Sequence, residues 1–159
     1  MLKKIIGLMA SLIAAFTLTN AIAQSDPLVK VESAWVRATV AGQQGTGGFM
    51  KLTAREDLRL VRVTTPAAEV AEIHEMKMGA NSVMEMRSIA GLDLPKGKTV
   101  ELKPGSYHLM LMSLKAPLAK DSTVPVTLFF KNAKGVESRL AINIPVSLTP
   151  AQASAVHAH

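Results

Sequence analysis

The 159-residue sequence contains no cysteine. That absence removes disulfides, thiolate-ligated zinc and iron–sulfur centres, and any lipid carried on an N-terminal cysteine. Aromatic residues are few, with Trp35 the single tryptophan and Tyr107 the single tyrosine. Helical periodicity is scarce as well: beyond the first two dozen residues no segment keeps a long, clean 3.6-residue apolar repeat. Basic residues exceed acidic ones by 18 to 12, but they are scattered rather than gathered into a stripe. Removal of Lys3 and Lys4 with a leader would reduce the net charge from +6 to +4. With no basic cluster and little aromatic surface, the pattern argues against nucleic acid as a partner. There is no G-x-S-x-G elbow, no H-E-x-x-H and no C-x-x-C-H, so the common hydrolase, zinc-peptidase and attached-haem signatures are missing.

What is present starts with "MLKKIIGLMASLIAAFTLTNAIAQ", in which Lys3 and Lys4 precede an apolar run from Ile5 to Phe16 and then Ala21-Ile22-Ala23. This is the pattern of a secretory signal peptide cleaved after Ala23. Its apolar run falls short of the ~20 residues that span a bilayer. The expected organisation is a signal peptide over 1–23, one domain over 24–149 and a flexible tail over 150–159 that begins at Pro150. The expected location is the periplasm, with no stable membrane insertion after cleavage.

The rest of the chain alternates in short, β-branched runs bounded by Gly, Pro, Asn or Asp. They are Leu28 to Val40, Gly47 to Ala54, Leu58 to Thr65, Thr99 to Pro104, Ser122 to Phe130 and Ser138 to Val146. Many short strands at short intervals predict an all-β sandwich or barrel with Greek-key connections in a single domain. Trp35 is expected to anchor its core. The segment "EVAEIHEMKM" (Glu69 to Met78), followed by "GANS" and "VMEMRSI" (Val83 to Ile89), predicts a further hairpin. A three-residue tip centred on Ala80 would set His74 opposite Met86, and Met76 opposite Met84.

In "GSYHLMLM" (Gly105 to Met112) the period of two puts Tyr107, Leu109 and Leu111 on one face and His108, Met110 and Met112 on the other. Taken singly, each methionine is most simply core filler, and a lone histidine on an apolar face is ordinarily a satisfied core residue. Jointly the pattern is harder to dismiss, because seven of the nine methionines lie from Met50 to Met112, with His74 and His108 among them. Two imidazoles and two thioethers form a neutral, soft donor set. Cu(I) prefers such donors, whereas zinc sites draw on cysteine, histidine and carboxylate, and calcium or magnesium on oxygen.

At this point the sequence resembles the periplasmic copper chaperones of the PCuAC type. The spacing from His74 through Glu75 and ten further residues to Met86, then twenty-one residues to His108-Leu109-Met110, fits that family's pattern without a gap. "AWVRAT" (Ala34 to Thr39), "GGFMKL" (Gly47 to Leu52) and "LKPGSYHLMLMSLK" (Leu102 to Lys115) are similar to the family as well. The resemblance implies a cupredoxin-like sandwich that holds one Cu(I) per chain near its surface through His74, Met86, His108 and Met110. It further implies delivery to the copper centre of cytochrome c oxidase, or to a Sco-type copper protein. Glu75 stands where the family pattern sometimes has methionine. Met76, Met84 and Met112 then read as auxiliary positions around the ion or along its path, and His157 and His159 as weak Cu(II) ligands in the tail.

Competing readings are a copper storage or scavenging protein and a metal-free interaction module. A blue-copper electron carrier would need a cysteine thiolate, which the sequence lacks. An enzyme is not expected, since a Cu(I) with four protein ligands has no open position for a substrate.

Overall fold

A computed structural model of the chain describes residues 27–79 and 82–150. The expected signal peptide, its cleavage after Ala23, and the tail histidines His157 and His159 lie outside the described residues.

The described chain forms ten strands: β1 (Val29–Arg37), β2 (Gly45–Ala54), β3 (Leu58–Thr64), β4 (Ala68–Met78), β5 (Met84–Ser88), β6 (Leu92–Leu94), β7 (Thr99–Leu102), β8 (His108–Leu114), β9 (Thr123–Asn132) and β10 (Glu137–Ser147). Nine coincide with runs expected from the sequence. The short β6 escaped that reading because three residues of "LDL" are too few to show alternation.

Hydrogen bonding runs in the order β5-β4-β8-β2-β1-β10-β9-β3-β6, with β7 alongside β2. The run turns over at a short parallel contact between β1 and β10, where Val36 lies beside Val146 and Arg37 beside Ser147. The front layer is therefore β5-β4-β8-β2-β1 with β7, and the back layer β10-β9-β3-β6. The cupredoxin-like β-sandwich expected from the sequence is the observed fold. Its core holds Val36, Leu52, Ile73, Leu109 and Leu111 from the front, and Leu60, Val126, Leu128, Phe130 and Ile144 from the back. Burial of apolar surface of this kind is the main force holding two sheets face to face.

Trp35 is buried as expected, but not between the two sheets. Counting by twos from Val29 and Val31, which are buried in the core, places Trp35 on the inner face. However, β1 carries a bulge between Glu32 and Trp35, and Ser33 within it has φ 51°. One extra residue reverses the alternation, so Ala34 and Val36 turn into the core. Trp35 goes to the outer face, where it pairs with Phe49 of β2 at a ring-centroid distance of 4.7 Å. It is still buried, but under Phe49 rather than between the sheets.

Candidate metal centre

Strand β8 positions the site. Leu109 and Leu111 are fully buried in the core, while Met110 and Met112 are half-buried on the outer face. This is the alternation that the sequence predicts. On one side of β8 lies β4, with His74 directly opposite His108, Glu72 opposite Met110 and Val70 opposite Met112. On its other side lies β2, with Gly47 opposite Met110 and Gly45 opposite Met112. A Cβ at Gly45 would come within 3.1 Å of the Met110 methyl carbon, and one at Gly47 within 2.7 Å of the Phe49 ring. Both glycines thus leave room on the outer face for larger neighbours.

The hairpin register differs from the expected one. His74 pairs with Ser88, Met76 with Met86, and Met78 with Met84. The pairing is centred one residue later than Ala80: the three pairs are equidistant from position 81, and so is the bond that the Gly79 amide donates to the Val83 carbonyl at 2.8 Å. Each pair is set two residues further along β5. Because two is the side-chain period, His74, Met76, Met84 and Met86 stay on one face despite the change of partner. The direct neighbour of His74 in the site is accordingly His108, at 5.8 Å between ring centroids. Met86 is a diagonal neighbour of His74 across β5, and Met110 is a diagonal neighbour across β8. Such positions lie about 7–8 Å apart at the backbone and remain within reach of long side chains.

An open pocket over β8 is lined by Met76, Met86, His108, Met110, Phe49 and Gly47, among others. Met76 thus lies in the same pocket as Met86 and His108, whereas His74 does not line it. Met112 shares the outer face without lining the pocket, and Met84 sits one pair further out on the hairpin. Sequence reasoning did not single out the wall formed by Gly45, Gly47 and Phe49. The signal was there in "GTGGF" (Gly45 to Phe49), where two glycines and an aromatic recur at every second position. Phe49 stands 6.4 Å from the His108 ring, and the Arg37 guanidinium lies 5.8 Å from the Phe49 ring centre.

In a neutral imidazole, hydrogen bonding shows which nitrogen carries the lone pair. His108 Nδ1 is 3.0 Å from the Ser106 carbonyl oxygen, which can only accept, so Nδ1 holds the proton and Nε2 the lone pair. His74 Nε2 is 2.8 Å from Glu72 Oε2. That hydrogen bond holds the Glu72 carboxyl below its usual range, against the upward push of desolvation and with a further hydrogen bond from Ser88. An ionised carboxylate accepts, so His74 Nε2 donates and Nδ1 keeps the lone pair. That Nδ1 is buried and has no hydrogen-bond partner among the described residues. His74 and His108 are only 8% and 5% exposed, and leaving a buried polar atom unpaired costs about 1–3 kcal/mol. A metal ion would satisfy it. The carboxylate–imidazole pair is also the arrangement that orients metal-bound histidines.

The donors suit one kind of ion. Among the described residues, no three His, Asp or Glu side chains gather into a hard-metal cluster. What gathers instead is imidazole with thioether, which favours a soft ion such as Cu(I) over zinc, calcium or magnesium. Glu75, on the opposite face of β4, is held by Arg87 across the hairpin and takes no part in the site.

The fold is a β-sandwich with imidazole and thioether donors gathered on the outer face of one sheet. The chain belongs to the LpqE-like family, whose model matches residues 29–146. It is 37% identical over 118 residues to Lxx21020 of Leifsonia xyli subsp. xyli, which bears a lipoprotein name; the match covers 73% of this chain and 69% of that protein. Among solved structures it is similar to the apo PCuAC domain from PmoF1, with a TM-score of 0.60 at 22% identity over 77% of this chain and 96% of that one. The copper-bound PCuAC domain from PmoF2 superposes with a TM-score of 0.59 at 21% identity, over 79% and 97% of the two chains. The Cu(I) form of DR1885 from Deinococcus radiodurans is 30% identical, with a TM-score of 0.54 over 81% of this chain and 84% of that one. The fold is of the PCuAC type.

Proposed function

We propose that this protein is an exported Cu(I) carrier. One ion is held through His74 Nδ1, His108 Nε2 and the sulfurs of Met86 and Met110, with Met76 beside them. The observation that carries the reading is the buried, unpartnered Nδ1 of His74, whose ring is steered by Glu72 and faces His108 across the β4–β8 ladder. The likeness to copper-bound relatives supports it. Met86 is 53% exposed, so a partner's thiolate or thioether reaches the ion from that side and exchanges ligands one at a time. Delivery, rather than catalysis, is the corresponding role. The acceptor is the copper centre of cytochrome c oxidase or a Sco-type assembly factor, reached in the periplasm after removal of residues 1–23. The lipoprotein names in its family agree with export. This sequence holds no cysteine on which a lipid could be carried, and among the described residues no helix is long and apolar enough to cross a membrane.

The test is titration of the apoprotein with Cu(I) and with Zn(II) under reducing conditions, with bound metal counted by native mass spectrometry. One tightly held Cu(I) in the pocket and weak zinc binding are expected. Equal retention of both ions against one series of chelators would overturn the reading. Transfer to a purified oxidase copper domain then separates delivery from storage. Copper that passes to a simple chelator but not to an acceptor of equal strength indicates storage or scavenging.

A further inference from the structure

The β4–β5 hairpin carries more sulfur than one ion needs. Two Met-x-Met runs, Met76-Lys77-Met78 and Met84-Glu85-Met86, pair antiparallel, so that Met76 faces Met86 and Met78 faces Met84 in adjacent cross-strand pairs on one face. The intervening Lys77 and Glu85 pair with each other on the opposite face. Core packing does not account for this. All five residues of β5 are exposed, and Met78, Met84 and Met86 are 58%, 44% and 53% exposed. Large apolar side chains clustered in water are disfavoured unless they meet something.

Along the shared face, donor type and burial both change. The outermost pair is two exposed thioethers, the next is half-buried Met76 with exposed Met86, and the third position is the buried His74 beside His108. Successive same-face positions on a strand lie about 7 Å apart, a separation that flexible methionine side chains bridge from either side. Two neutral thioethers hold Cu(I) weakly. Two thioethers with two imidazoles hold it more firmly, because imidazole is the stronger donor.

We propose that Met78 and Met84 form a second, thioether-only Cu(I) site at the outer end of the hairpin, from which the ion passes inward by way of Met76 and Met86 to the histidines. This rests on the Cu(I) reading of the inner site. No redox change is involved. One sulfur ligand replaces another around an ion that stays monovalent, and the thioethers neither gain nor lose protons.

The experiment uses the full chain with its methionine methyl groups labelled with carbon-13, titrated under anaerobic conditions with Cu(I) and, separately, with Ag(I) as a redox-inert stand-in. The first equivalent is expected to move the methyl signals of Met86 and Met110. A weaker second equivalent is expected to move those of Met78 and Met84. In the variant Met78→Leu/Met84→Leu, which keeps the hydrocarbon bulk, the second equivalent should be lost and the first retained with unchanged affinity. Loading of the inner site from a chelated Cu(I) donor should also slow. If the wild type takes up one ion only, with the Met78 and Met84 signals unmoved, the second site is refuted while the inner site stands. The exposed methionines would then be a protein-docking patch. Uptake of no ion at all would refute both, and an unaltered second equivalent in the double variant would refute this one.

Discussion

The two faces of the front sheet use the same residue type for opposite purposes. Met50, on the inner face of β2, is 2% exposed and packs in the apolar core with Leu52 and Leu102. Met110, on the outer face of β8, lies in an open pocket beside His108. The first is hydrocarbon filling a space in which sulfur chemistry has no outlet. The second is half-buried and lines a pocket that His108 also lines. Methionine content alone therefore says little about a metal site; the face and its neighbours decide. On the outer face those neighbours are two buried histidines with defined tautomers, a carboxylate that orients one of them, and glycines that clear the space above.

The largest effect expected from breaking this comparison is on the inner face. Met50→Ala should cost about 2–5 kcal/mol of stability, the range for truncating a large buried apolar side chain, and leave the number of bound Cu(I) ions unchanged. Met110→Ala should do the reverse, with strong loss of Cu(I) affinity and a far smaller drop in stability. Thermal melts of the metal-free variants beside chelator competition check both, and a core-sized drop in stability for Met110→Ala would show that it is packing after all.

A smaller effect is expected when the donor atoms stay but their orientation is loosened. Glu72→Gln keeps the size of the side chain but removes the charge that accepts from His74 Nε2. By the usual effect of losing a partner to a metal-bound histidine, Cu(I) affinity should fall about 10- to 100-fold, with stoichiometry intact. If affinity is unaltered in the competition assay, the carboxylate does not orient the ring.

The smallest effect is expected at the wall of the pocket. In Gly47→Ala the new methyl would meet the Phe49 ring at 2.7 Å, so the ring must shift against Trp35 and towards His108. The cost should sit near the low end for overpacking, about 1 kcal/mol, because the ring borders an open pocket. Emission from Trp35, the sole tryptophan, reports the shift. Unchanged emission together with unchanged copper affinity would show that the ring tolerates the methyl without moving.

Where sequence reasoning succeeded and failed follows from how local each property is. The faces of β8 were legible because side-chain alternation depends only on the strand being extended. The rule does not carry through β1, where the bulge at Ser33 inserts one residue and turns Trp35 to the outer face. The hairpin pairing failed differently. The turn chemistry of "GANS" was recognised, but the centre of the pairing lies one residue later than Ala80, so His74 met Ser88 instead of Met86. That error left the site face unharmed only because the displacement was a multiple of the side-chain period. Glu72 could be placed on the face of His74 by counting, yet its role as hydrogen-bond acceptor required coordinates.

Composition and spacing already establish that the chain is all-β, that it has no thiolate to offer a metal, and that soft donors recur at strand spacing from His74 to Met110. These follow from composition and from the fixed period of an extended backbone. That His74 and His108 are direct neighbours comes from the folded chain, since which strands lie side by side depends on how the whole sandwich closes over its core rather than on any local run. So does the burial of His74 Nδ1 without a partner, because burial and hydrogen-bond satisfaction are properties of everything packed around an atom. The residues of the site are thirty-four positions apart from His74 to His108 along the chain. One antiparallel ladder brings them face to face.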